Sequence, residues 1–305
     1  MENIQKSTPS EFEIDLSYLV KVLVQKKIHI FVITTLFILG GVITALLLPN
    51  KYTAYTIISP RSSEPTSGLS QFTARLGQLA SSVGVDGFSS NSINSVIAIE
   101  TLKSRKFLIE FVDMHNLAPI LLATKGWDEG NQEWIYDSSI FNADKGAWNS
   151  EEAFVPTSHK KYAAFNKLLD ISKHKDTGFY EISITTESPT TSHLWLTQLI
   201  DEINEYMRKR TLLESKKSIE YLTDQIEKSK LTEVKSLFYA LLEREIQNQM
   251  LANAKQSYVF TVIDPSVVPE QKSSPNRLII VLGATLAGLL AGVLFAAISH
   301  SRRSN

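Results

Sequence analysis

Asp264-Pro265-Ser266-Val267-Val268-Pro269-Glu270-Gln271-Lys272-Ser273-Ser274-Pro275-Asn276-Arg277 leads directly into the apolar run Leu278 to Ile298. At 1.5 Å per residue, about 21 uncharged residues span a hydrocarbon core of roughly 30 Å, so 278–298 is predicted to be a transmembrane helix. The connector cannot continue that helix backwards. Each proline lacks an N–H and biases the residue before it away from the helical region. An extended, fairly stiff strut over 264–277 is therefore expected at the membrane surface.

Near the other end, Ile28 to Leu48 forms a second apolar run with only His29 at its edge. It is too long for the hydrophobic region of a signal peptide, and Leu48-Pro49-Asn50-Lys51 lacks a small-x-small cleavage pattern, so it is expected to remain as an anchor. Lys21, Lys26 and Lys27 precede this first span, and Arg302 and Arg303 follow the second. By the positive-inside rule both ends are cytoplasmic. The predicted organisation is a cytoplasmic segment 1–27, a span 28–48, a periplasmic α+β domain 49–277, a span 278–298 and a cytoplasmic tail 299–305.

The exported part is long enough to bury its own core. The chain has no cysteine, so no disulfide staples that core, and its formal net charge of −1 gives no nucleic-acid footprint. The short cytoplasmic segments leave no room for a kinase domain, and no phosphate-cradling G-x-x-x-x-G-K-[ST] loop occurs.

Ile14 to Val24 has apolar residues at helical spacing, read either as an amphipathic helix at the inner membrane face or as a cytoplasmic extension of the first span. Tyr52 to Pro60 is β-branched and aromatic and ends at proline, the pattern of a strand. Leu69 to Leu79 is predicted helical and Ser81 to Ser92, rich in Gly and Ser, flexible. Ser95 to Asn116 is predicted as a helix that buries Ile97, Leu102, Phe107, Leu108, Phe111 and Val112. Trp127, Trp134 and Trp148 stand among Asp, Glu, Asn and Gly, a composition that fits a carbohydrate-stacking surface or, the preferred reading, aromatics anchoring an irregular loop.

His159 to Leu169 reads as a helix and Gly178 to Glu187 as a strand. From Thr190 to Lys255 there is neither Pro nor Gly. One rod of that length would measure roughly 100 Å. The apolar pattern falters at Lys228 to Thr232, however, and Tyr258 to Ile263 reads as a strand that must lie back at the base. An out-and-back helical hairpin over about 190–255 is favoured over a single rod. The predicted fold class is thus α+β: two transmembrane helices flanking a periplasmic α/β base domain with a long protruding helical hairpin.

No catalytic, cofactor or metal residues are assigned. The histidines, His29, His115, His159, His174, His193 and His300, show no ligand spacing. Carboxylate pairs such as Asp201 and Glu202 lie on highly charged helices, where solvation is their expected role. The second span does carry Ala284, Gly288, Gly292 and Ala296 every four residues, a small-residue face on which another helix can approach closely. That helix is either the first span, through Gly40, Gly41 and Thr44, or another protein.

Pro269, Ser274-Pro275 and then Gly288 and Gly292, preceded by Tyr258 to Pro265, resemble the proline-rich second-span motif of the Wzz-type chain-length determinants, the polysaccharide co-polymerases. Two positions differ. The family's first Pro is expected at Ser266 and here stands at Pro265, and the Lys usual after Ser-Pro is Asn276, with Arg277 following. Without a kinase domain after the second span, the chain resembles the O-antigen class.

The resemblance implies a non-enzymatic inner-membrane protein, a homo-oligomeric ring, that works with the polysaccharide polymerase, and with the growing lipid-linked glycan, to set modal O-antigen length. The hypothesis for the strut and second span, drawn from the proline pattern and the small-residue face, is polymerase interaction or helix packing at Pro265, Pro269, Ser274, Pro275, Ala284, Gly288, Gly292 and Ala296. Alternatives are a co-polymerase for capsule, exopolysaccharide or enterobacterial-type common polysaccharide, a two-span periplasmic sensor or adaptor, and a periplasmic glycan-modifying enzyme.

Overall fold

A computed structural model describes residues 26–60, 90–149, 155–254 and 258–301. The expected helices over 14–24 and 69–79 lie outside the described residues, as does most of 81–92. Two compact units emerge, one from residues 51–272 and one from residues 1–50 with 273–305.

The larger unit is built on a four-stranded antiparallel sheet. Its strands are β1 (Tyr52–Pro60), β6 (Leu169–Lys173), β7 (Tyr180–Thr186) and β8 (Phe260–Asp264), in the order β6-β7-β1-β8. β1 pairs with β7 from Tyr52↔Thr186 to Ile58↔Tyr180, and with β8 through a register shift between Ile57 and Ile58. On β7 the buried residues are Tyr180, Ile182, Ile184 and Thr186, and on β1 Ala54, Thr56 and Ile58. This period of two marks a sheet covered on one face.

The covering elements are helices α2 (Ser90–Lys103), α3 (Arg105–Met114), α4 (Ala118–Leu122), α5 (Ser158–Asn166) and the first half of α6 (Pro189–Lys228). Phe107, Leu108, Phe111 and Val112 of α3, Phe165 of α5, and Trp195, Leu196, Leu199, Ile200 and Ile203 of α6 form one core with the sheet. The expected single helix over 95–116 is broken: Ser104 is extended and its hydroxyl accepts from Phe107 N, capping α3. Four of the six predicted core residues there are on α3, and Leu102 on α2 is also fully buried. Residues 90–92 are helical, not irregular. α5 ends three residues before β6, where Leu169 pairs with Ile184 instead of extending the helix.

Two small hairpins, β2 (Thr124–Asp128) with β3 (Glu133–Tyr136) and β4 (Phe141–Asn142) with β5 (Ala147–Trp148), occupy the tryptophan-rich segment. Trp127 and Trp134 face each other edge to face at 5.2 Å, and Tyr136, Phe141 and Trp148 continue the aromatic chain to the core. Asp128 accepts from Gly130 N, Asn131 N and Asn131 Nδ2, which fixes the β2–β3 turn and holds its carboxyl below the ordinary carboxylate range. Glu129 beside it accepts from Tyr52 Oη at 2.8 Å, and this bond pushes the phenol up.

α6 starts at Ser188, whose hydroxyl accepts from Thr191 N, with Pro189 at the first helical position. It ends at Ser229, and α7 (Thr232–Ala254) returns antiparallel against it, so the helical stretch is a hairpin with a short turn. The arms are unequal, 40 and 23 residues, or about 60 and 35 Å. Asn204, buried at 6% exposure, secures the chain's return: its Oδ1 accepts from both Val259 N and Phe260 N, and its Nδ2 donates to Ile200 O.

Candidate functional site

The smaller unit pairs α1 (Lys27–Leu47) with α8 (Arg277–Ser301). Each contains a stretch long and apolar enough to cross a membrane. Their outward surface is hydrocarbon: Phe31, Leu36, Leu46, Leu278, Leu282, Leu286 and Leu294 are all more than half exposed. A water-soluble fold would bury such residues, and lipid covers them without cost. The threonine hydroxyls bond inside their own helices, Thr34 to Ile30 O, Thr35 to Phe31 O, Thr44 to Gly40 O and Thr285 to Val281 O, which leaves no donor facing hydrocarbon there.

The two helices meet along a seam of small residues. A Cβ added at Gly288 would stand 2.8 Å from Phe37 Cβ and 3.0 Å from Thr34 Cα, and one at Gly292 3.1 Å from Ile30 Cα. One at Gly41 would stand 2.5 Å from Ala284 Cβ. Both Gly288 and Gly292 are buried, and Ala296 is completely so. The backbones touch because there is no side chain between them, the arrangement that small-x-x-x-small spacing permits in a bilayer.

Ala284, Gly288, Gly292 and Ala296 therefore lie together on one face, against α1. Of the three α1 residues named from sequence, Gly41 is in the seam, while Gly40 has nothing within 4 Å and Thr44 is exposed. Thr34 and Ala45, not singled out from sequence, are buried there instead. The i, i+7, i+11 spacing of Thr34, Gly41 and Ala45 was the available signal. Gly283 and Ala287, beside the small-residue row, face away.

The proline residues do not join that seam. Pro265 is exposed and Pro269 half-buried in the larger unit, while Ser274 and Pro275, joined by a cis peptide bond, are half-buried in the smaller one. No helix or strand occupies 265–273, in keeping with missing amide donors. In the same connector Ser266 Oγ lies 3.1 Å from His193 Nδ1 of α6.

The helical hairpin offers a different surface. Its second half buries little: Ser215, Leu222 and Ile226 on α6, and Ala252 on α7. Leu213, Tyr221, Leu237, Tyr239 and Met250 are each more than half exposed. A shallow cleft of about 230 Å³ between the arms is lined by Ser218, Tyr221, Leu222, Leu241, Arg244 and Glu245, and Ser215 Oγ donates to Glu245 Oε2 beside it. Among the described residues no group of three His, Asp or Glu side chains converges as a metal site would require.

Comparison with known proteins places these features. Residues 12–115 match the family described as "Chain length determinant protein", Wzz. Residues 228–301, from the hairpin turn through α8, match the "G-rich domain on putative tyrosine kinase". Among curated proteins no sequence matches the chain. Solved structures that it is similar to include a full-length bacterial polysaccharide co-polymerase, at 14% identity and a TM-score of 0.39, covering 95% of this chain and 99% of the other.

Another is a fragment of the WzzB polysaccharide co-polymerase from Salmonella Typhimurium, at 15% identity and 0.32, covering 74% and 100%. A variant of the Shigella flexneri lipopolysaccharide O-antigen chain-length regulator aligns at 11% and 0.20, covering 73% and 100%. The identification rests on the family matches and not on these superpositions: this chain belongs to the Wzz-type chain-length determinant proteins.

Proposed function

We propose that this chain sets the modal length of a bacterial surface polysaccharide, O-antigen on lipopolysaccharide, as a non-enzymatic oligomeric scaffold for the inner-membrane polymerase. The match of residues 12–115 to chain length determinants carries this reading. α1 and α8 cross the inner membrane with both termini in the cytoplasm and residues 49–277 in the periplasm, as the flanking lysines and arginines favour. The exposed Leu213, Tyr221, Leu237 and Met250 of the hairpin are the surface on which copies pack into a ring, since apolar side chains at this density gain about 25 cal/mol per Å² covered.

Because the small-residue face of α8 is filled by α1, the polymerase meets the strut residues Pro265, Pro269, Ser274 and Pro275 and the outward Leu282, Leu286 and Leu290. Ala284, Gly288, Gly292 and Ala296 then act by setting how the two spans sit. The experiment is a gel of lipopolysaccharide from cells lacking the protein and from the same cells re-expressing it. A random ladder that becomes a modal cluster supports the reading. An unchanged ladder, with the protein present in the membrane, refutes it for O-antigen.

A second reading has its own support. The match of residues 228–301 to a domain found on putative tyrosine kinases favours capsule or exopolysaccharide as the polymer. Its test is the size distribution of those polymers in the same pair of strains.

A further inference from the structure

We propose that Arg277 binds the phosphate of a membrane lipid; this rests on the reading that α1 and α8 cross the membrane. Arg277 is the first residue of α8, directly before Leu278, and is half-buried. Its Nη2 donates to Asn50 Oδ1 at 3.1 Å, which ties it to the chain leaving α1. Its Nε is buried and has no hydrogen-bond partner.

A guanidinium is a permanent cation with five donors in a fixed fork. Here one donor meets a neutral amide oxygen and one is covered and idle. A partly desolvated charge left this way costs free energy that a facing anion recovers. The described residues of the smaller unit, 26–50 and 273–301, include no Asp or Glu. Leu278 and Ile279 are about two-thirds exposed and apolar, and Asn276 Oδ1 already accepts from Ile279 N. Among the described residues of the smaller unit the charge has no acidic partner, and a phosphate from the surrounding membrane would supply one.

Arg277 stands where the apolar surface of α8 begins, the depth at which the anions of a bilayer are the phosphates of its lipids. A phosphate presents adjacent oxygens to which a guanidinium fork donates in pairs, and the lipid's chains would lie along the exposed Leu278 and Leu282. Asn50 holds the fork in a fixed orientation, so the site favours a phosphate attached to a lipid over one free in solution.

The test uses the full-length protein in detergent, with bound lipid counted by native mass spectrometry. The probes are phosphatidylglycerol, diacylglycerol of the same chains, and inorganic phosphate. Phosphatidylglycerol is expected to be retained and diacylglycerol not. Arg277→Gln, which keeps a donor for Asn50, should lose about tenfold or more of the phosphatidylglycerol affinity, the worth of a charge-assisted pair. Arg277→Lys should lose only a few-fold, because the charge remains. Asn50→Ala, which keeps the arginine, should fall between.

Equal retention by Arg277→Gln and the parent, or equal retention of diacylglycerol, overturns the inference. Displacement of the lipid by inorganic phosphate overturns its lipid part and leaves a soluble-anion site. A modal lipopolysaccharide ladder alongside lipid retention that ignores Arg277 overturns this inference alone and leaves the chain-length reading standing.

Discussion

Gly288→Leu should pry α1 from α8, and the geometry says by how much. Even the first added carbon would sit 2.8 Å from Phe37 Cβ and 3.0 Å from Thr34 Cα, and the second of these belongs to backbone, which cannot rotate away. Three further carbons have no room without separating the helices. Overpacking of this kind costs roughly 1–3 kcal/mol, which lowers the closed-to-open ratio of the pair by about 5- to 150-fold. The reporter is a disulfide: the chain has no cysteine, so Gly41→Cys with Ala284→Cys introduces a single possible pair within each chain, and cross-links between copies are separated from it by their doubled mass on a non-reducing gel.

Those two Cβ positions lie 2.5 Å apart, against about 3.8 Å in a disulfide, so the bond forms with roughly 1 Å of relaxation. Oxidation in membranes should cross-link the pair efficiently when Gly288 is intact and poorly with Gly288→Leu. Gly283→Leu is the matched control, because an added Cβ there meets nothing within 4 Å. Full cross-linking with Gly288→Leu, or equal loss with Gly283→Leu, would refute the seam as the determinant of this packing.

Asn204→Ala should destabilise the larger unit by about 2–4 kcal/mol, since it strands the buried amides of Val259 and Phe260. Chemical unfolding followed through Trp195, 3% exposed in the core, reads this directly, and a change under about 0.5 kcal/mol would contradict it. Ser192→Ala should cost about 1–3 kcal/mol by the same assay, because Ser192 Oγ accepts from Thr186 N and donates to Tyr52 O across the start of the sheet.

Acid stability should depend on Glu205. The hydrogen bond from Arg208 holds its carboxyl below the ordinary glutamate range. A depressed carboxylate contributes stability above its unfolded pKa and loses it as pH falls through the folded one, so Glu205→Gln should flatten the unfolding curve only on the acid side of the ordinary glutamate range. Finally, Leu237→Asp with Met250→Asp should shift the detergent-solubilised protein to smaller assemblies by mass photometry while leaving Trp195 unfolding unchanged. Unaltered assembly size would exclude this face as the packing surface.

Elements whose physics is local were legible in the sequence. The two apolar runs, the strand at Tyr52–Pro60 and the hairpin turn near Lys228 to Thr232 each follow from periodicity, proline or an interrupted stripe, and each is present within a few residues. The sequence also pointed to the small row on α8. What it could not give was the partner. Gly40 and Gly41 are adjacent and chemically identical, and only the helix crossing decides that Gly41 faces Ala284 while Gly40 faces outward.

β6 was lost for a related reason. Leu169 continues a helical pattern, and only pairing with Ile184 on β7 overrides it. The break at Ser104 left a sequence signal, a capping serine three residues before Phe107, that the apolar period on either side concealed.

α6 divides its length between two kinds of environment, and its composition follows the division. From Ser192 to Met207 it buries Trp195, Leu196, Leu199, Ile200, Ile203 and Met207 in the core, with Asn204 spending a polar group there to fix β8. Beyond Arg210 the buried positions thin to Ser215, Leu222 and Ile226, facing an α7 that itself buries only Ala252. A two-helix hairpin with so little shared apolar area gains too little from its own contacts to be rigid alone, since most helical stability comes from packing an apolar face. In the proposed ring, its exposed leucines and tyrosines are the means of stabilising it from outside. Ordering of the outer hairpin should therefore rise with protein concentration, whereas the Trp195 core should not, a difference that amide hydrogen exchange across α6 resolves within one helix.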